Sequence, residues 1–66
     1  MNKTIAIRIL TRLYEDIYNT FEYDYETVDH FYAYLGYNLE LHHELPLLGI
    51  HGTSDLQEAM LEMSEG

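Results

Sequence analysis

The chain runs to residue 36 before its first glycine, and its one proline comes later still, at Pro46. Within that uninterrupted opening, Ile5, Ile9, Leu13 and Ile17 recur every fourth residue, and Phe21 extends the series. Leu10, Tyr14 and Tyr18 widen this stripe, while Arg8, Thr11, Arg12, Glu15 and Asn19 make an opposite polar face. The spacing predicts an amphipathic helix over residues 3–20. A strand competes locally, because Ile5, Ile7 and Ile9 alternate and are β-branched, but the longer pattern decides for helix. Ile9, Leu13, Ile17 and Phe21 are expected to form core or a dimer contact.

A heptad-like series, Tyr14, Tyr18, Phe21, Tyr25, Val28, Tyr32 and Leu35, permits one continuous helix to residue 35. A break at residues 20–24 is preferred. Asn19, Thr20 and Asp24 are cap-type residues, and the ring-rich EYDY is a poor helix interior. Asp24 is then expected to cap a second helix over residues 25–35, with Glu26 and Asp29 near its positive end. Val28, Phe31, Tyr32 and Leu35 are its expected buried stripe, and Gly36 is expected to close it in a left-handed cap.

Beyond Gly36 the pattern weakens. Leu39, Leu41 and Leu45 suit a short strand or a further helical turn, whereas Pro46, Gly49 and Gly52 mark a loop. Thr53-Ser54-Asp55 opens a third helix, with Ser54 and Gln57 at capping-box spacing. Leu56, Ala59, Met60 and Met63 make its apolar side, and Asp55, Glu58 and Glu62 are expected to face out. The expected fold is all-α: a small three-helix domain spanning residues 1–66, with at most one short strand or an extended connector.

A chain of 66 residues buries about 60% of the surface its unfolded form exposes, so its own core is marginal. With no Cys there is no disulfide to reinforce it, and a cytoplasmic setting is expected. Helix packing or a second copy must supply the stability, and a homodimer is expected. Arg8 and Arg12 interrupt the apolar run that a signal peptide needs. No stretch of about 18 apolar residues is present to span a membrane.

The formal charge is −9, and it is strongly segregated. Lys3, Arg8 and Arg12 are the three basic residues, and from Leu13 onward there are twelve acids with no Lys or Arg. A direct nucleic-acid binder needs a basic face, and an anionic membrane attracts basic segments. Neither suits this chain; a basic protein partner does. Arg8 and Arg12 also lie in the N-terminal half of the first helix with Asp16 after them, against the macrodipole preference. That order suggests that the arginines answer to acids elsewhere, on this chain or on a second copy.

Three groups of residues are candidate sites. His42, His43 and His51 lie near Glu40 and Glu44, but their spacing matches no helical pair and no zinc finger, so no metal is assigned. There is no Cys nucleophile and no Gly-rich phosphate loop, and a chain this small has little room for a water-excluding pocket. No enzymatic activity, catalytic residue or cofactor is expected. The third group is FEYDYETVDHFYAYLGYN, residues 21–38, which carries rings and acids with no basic residue. If residues 22–26 are extended, Glu22, Asp24 and Glu26 project on one side, about 6.7 Å apart. If they are helical, Glu15, Glu22, Glu26 and Asp29 share one stripe. Tyr23 and Tyr25 would add rigid contact area.

In size and charge profile the chain resembles phage-encoded inhibitors of host defence, such as anti-restriction, anti-CRISPR and uracil-DNA-glycosylase inhibitor proteins. The resemblance is one of profile alone, and no motif or residue role is carried over. It implies a nucleic-acid mimic, whose carboxylates take the places of phosphates in the basic groove of a nucleic-acid-binding enzyme or effector complex. If the chain is phage-encoded, the host cytoplasm is the expected location. The expected contacts are Glu15, Glu22, Tyr23, Asp24, Tyr25, Glu26 and Asp29. The alternative is a dimeric regulatory or structural adaptor whose acids serve solubility.

Overall fold

The computed structural model describes residues 2–65. Among them are three α-helices and no strand: α1 (Lys3–Tyr18), α2 (Tyr25–Ala33) and α3 (Thr53–Glu65). A π-helical turn, Tyr34–Asn38, continues α2, and a 3₁₀ turn, Leu45–Leu48, precedes α3. Both α1 and α2 pack on α3. No helix is long and apolar enough to cross a membrane.

Each helix begins and ends for a local reason. Asn2 caps α1, its side chain accepting from the Thr4 N–H at 2.7 Å. At the other end Asn19 takes the left-handed conformation (φ 53°), and its N–H returns to the Glu15 carbonyl at 2.8 Å. Asn tolerates that conformation better than other non-glycine residues. The break between α1 and α2 falls where the sequence places it, and Asp24 caps α2 by accepting from the Thr27 N–H and hydroxyl.

Gly36 does not close α2. The helix widens into the π turn and runs through Gly36, with the Leu39 N–H reaching the Tyr34 carbonyl at 3.2 Å. The left-handed residue that ends the run is Glu40 (φ 56°). Glycine permits such a turn but does not require it. The capping box expected at the start of α3 is also redirected. Ser54 lies inside the first turn of α3, and Gln57 spends its amide on the Tyr23 carbonyl at 2.8 Å. Asp55 accepts from the His51 N–H at 2.8 Å.

The core corrects the assignment of faces on α1. Its buried residues are Ala6, Ile7, Leu10, Thr11 and Tyr14, spaced by three and four as a core-facing stripe must be. Thr11, expected on the polar face, is buried and satisfies its hydroxyl on the Ile7 carbonyl at 2.8 Å. Of the residues expected as core or dimer contact, Ile9, Ile17 and Phe21 are not core: they are 51%, 45% and 79% exposed. Leu13 packs against the core from a partly buried position. α1 carries two apolar stripes, and the one containing the large ring of Tyr14 is turned inward.

Val28, Phe31 and Leu35 of the second helical segment are fully buried, as are Leu45, Ile50, Leu56 and Met60; Tyr32 packs against them. Tyr14 is the hub of an aromatic cluster. Its ring lies 4.9 Å from that of Tyr18, 5.3 Å from Tyr23 and 5.4 Å, edge to face, from Phe31. Such arrangements add about 0.5–1.5 kcal/mol per pair beyond the area they bury. The ring-rich segment therefore serves first as the adhesive between α1 and α2.

Candidate partner-binding surface

The segment from Phe21 to Glu26 exposes every side chain except that of Tyr23. It follows directly from the aromatic core. Tyr14 holds the Glu22 carbonyl from below at 2.7 Å. Tyr23 is turned inward, 6% exposed, and its hydroxyl donates to the Glu15 carboxylate. With those two anchors in place, Glu22, Asp24, Tyr25 and Glu26 are left at the surface.

The seven residues expected to contact a partner divide accordingly. Glu22, Asp24, Tyr25, Glu26 and Asp29 are exposed, Tyr25 by 53%. Tyr23 is a core residue, because its ring packs on Tyr14 and its hydroxyl is held by Glu15. Glu15 is partly buried and engaged by that same hydroxyl. Asp29 accepts from the Thr53 hydroxyl at 2.5 Å, tying α2 to the start of α3. Asp24 is occupied by capping. Glu22 and Glu26 have no side-chain hydrogen bond among the described residues, so their carboxylates stand ready for an outside group.

Neither geometry considered for this stretch forms as a whole. Asp24 has extended backbone angles (φ −70°, ψ 153°), but helix begins at Tyr25, so Glu26 already belongs to α2. The acids follow a bend from connector to helix N-terminus rather than a straight ladder. Two of them, Asp24 and Glu26, sit at the positive end of α2, where the helix dipole stabilises negative charge.

The local electrostatics match this division. Hydrogen bonds from the Thr27 hydroxyl and N–H hold the Asp24 carboxyl below the usual carboxylate range. Burial, then the hydrogen bond to Glu15 and the charge of Glu15, push the Tyr23 hydroxyl up to about 12. Burial and then the charge of Asp24 raise Tyr14. Burial and then Tyr34 raise Tyr18, whose hydroxyl lies 2.5 Å from Nδ1 of His30. These tyrosines stay neutral beside an acidic surface.

Other concave regions are separate from this surface. A groove of about 660 Å³ runs between the start of α1, the 3₁₀ turn and α3, with Lys3 and Arg8 facing Asp55, Glu58 and Glu62. A second, of about 490 Å³, lies between Tyr32, Tyr37, Glu40, His42 and Leu45. His42 reaches the Gly36 carbonyl at 3.1 Å and its ring lies 4.3 Å from that of His43. Among the described residues no group of three His, Asp or Glu side chains is gathered closely enough to hold a metal ion.

Phe21, expected as core or dimer contact by extending the fourfold series past the end of α1, is not core: it is 79% exposed. The signal that corrects it is local: Asn19 is a strong left-handed cap residue, so the helical period stops there. No protein-family model, curated protein or solved structure matches this chain.

Proposed function

We propose that the chain is a small acidic binding protein whose segment from Glu22 to Asp29 occupies a basic groove on a protein partner. In its most concrete form it is a nucleic-acid mimic that blocks a nucleic-acid-binding enzyme or effector complex. The observation that carries this reading is the exposed run Glu22, Asp24, Tyr25 and Glu26, in which two carboxylates lack partners among the described residues and a ring stands beside them. A rigid core beneath the run supports it further, since a surface fixed before binding loses less entropy on association. Charge would speed the encounter and Tyr25 would slow the departure. The reading assigns no catalytic step and no cofactor.

The test is a native pull-down from the source cell at two salt concentrations. The expected result is a basic, nucleic-acid-binding protein captured at low salt and released at high salt. An acidic partner, or capture indifferent to salt, would sink the proposal.

A second reading, a dimeric regulatory or structural adaptor, is favoured by one observation: Ile5, Ile9 and Ile17 are exposed on α1. The two readings separate by mutation. An adaptor loses function when Ile9 is made polar, whereas a groove binder loses it when Glu22 and Glu26 are neutralised.

A further inference from the structure

The exposed face of α1 joins two features that each need explanation. One is the ridge Ile5, Ile9 and Ile17, about half exposed, with Leu13 partly buried between them and Phe21 just beyond the helix end. The other is charge. Residues 3–18 carry three cations, Lys3, Arg8 and Arg12, and two acids, Glu15 and Asp16, a net of +1. The remainder of the chain therefore carries −10 of the total −9. α1 is thus the one helix whose own charge does not oppose pairing with its copy.

We propose that this ridge is the contact between two copies of the chain, paired antiparallel about a two-fold axis at Leu13. Fourfold ridges are the rows that interdigitate in the commonest class of helix packing, and a two-fold contact uses the same patch twice. The pairing sets Ile9 against the second copy's Ile17 and Leu13 against Leu13. Arg12 and Asp16 lie on one flank of the ridge, one residue before the axis and three after it. With a rise of 1.5 Å per residue, Arg12 of one copy and Asp16 of the other then lie about 3 Å apart along the helix direction.

Lys3 and Arg8 line the groove that Asp55, Glu58 and Glu62 of the same chain also line, which leaves Arg12 as the cation on the flank of the ridge. Within one chain Arg12 reaches Asp16 at 3.4 Å, an exposed pair of little worth by itself. Across the interface both groups gain a second, opposite partner.

The test is sedimentation velocity over a concentration series, with helicity followed by circular dichroism. The wild-type chain should sediment as a dimer that dissociates on dilution. Ile9→Glu, at a position outside the core, should keep its helicity and weaken the dimer by about tenfold or more. Arg12→Glu and Asp16→Arg should each dissociate alone, because like charges then meet across the axis. Mixed one to one, these two variants should form a heterodimer. A wild-type chain that remains monomeric, a dimer untouched by Ile9→Glu, or a mixture that fails to associate each overturns the proposal. It is independent of the acidic-surface reading: a monomer that still captures a basic partner sinks this proposal alone.

Discussion

The Tyr14 hydroxyl donates to the Glu22 main-chain carbonyl at 2.7 Å. This bond joins the buried face of α1 to the connector that presents the acids. Tyr14→Phe keeps the ring in the core and leaves that carbonyl unpaired. The expected cost is about 1–3 kcal/mol, read as a lower urea midpoint. Amide exchange at residues 20–24 should quicken more than exchange in α3.

Phe31 is fully buried against Tyr14, Tyr18 and Tyr34. Phe31→Ala should cost about 3–5 kcal/mol. A core of this size rarely supplies more than about 3–5 kcal/mol in total. The variant should therefore be largely unfolded at room temperature by circular dichroism, and a cooperative native-like transition would contradict the placement of Phe31 at the centre.

Alkaline pH should unfold the chain through its tyrosines. The Tyr23 hydroxyl is raised from 10.0 to about 12 in the folded state, so the folded state holds its proton more tightly than the unfolded one. That stability is fully present below pH 10 and is lost as pH rises toward 12. The urea midpoint should fall across this window, with tyrosinate absorbance rising in step. Tyr23→Phe should show a shallower fall, with the remainder due to Tyr14 and Tyr18, which shift in the same direction.

Asp24 acts at the other end of the scale. Its carboxyl is held below 3.8, so its contribution is present above that value and is lost as pH falls through the lower, folded-state one. Asn is an equally good N-cap. Asp24→Asn should therefore match the wild type in stability at neutral pH and lack this part of the acid sensitivity. A loss of helicity at neutral pH would mean that charge rather than capping is Asp24's main contribution.

Glu22→Gln with Glu26→Gln tests the acidic surface without touching a hydrogen bond that holds the fold. Both side chains are exposed. The double variant should keep its urea midpoint close to that of the wild type. It should associate with a basic partner more slowly and with a weaker salt dependence. Asp24 and Asp29 serve this purpose less well, because one caps α2 and the other holds Thr53.

The elements with one physical explanation were legible in the sequence. Asp24 was readable as a cap because a short acceptor side chain precedes a helical pattern, and the structure places it there. Val28, Phe31 and Leu35 were readable because α2 has a single apolar stripe. α1 was readable as a helix but not in its orientation, since Ile5–Ile9–Leu13–Ile17 and Ile7–Leu10–Tyr14 both satisfy the period. Only the rings of Tyr23 and Phe31, brought by the later chain, decide between them. Tyr23 and Tyr25 are alike by composition, and their fates differ because helix begins between them. The π turn had no signal, because it depends on how Leu35 and Leu41 meet, the Leu41 N–H returning to the Leu35 carbonyl at 2.9 Å.

Lys3 is the one lysine in the sequence, and it stands at the start of α1. That helix of 16 residues is about 24 Å long, close to the molecule's greatest extent of 26 Å. The acidic segment follows its far end. A surface coupled through that lysine will therefore hold the molecule with the segment from Glu22 to Glu26 turned toward solution. The position of that lysine makes the chain an immobilised probe fixed by the end opposite the segment it presents.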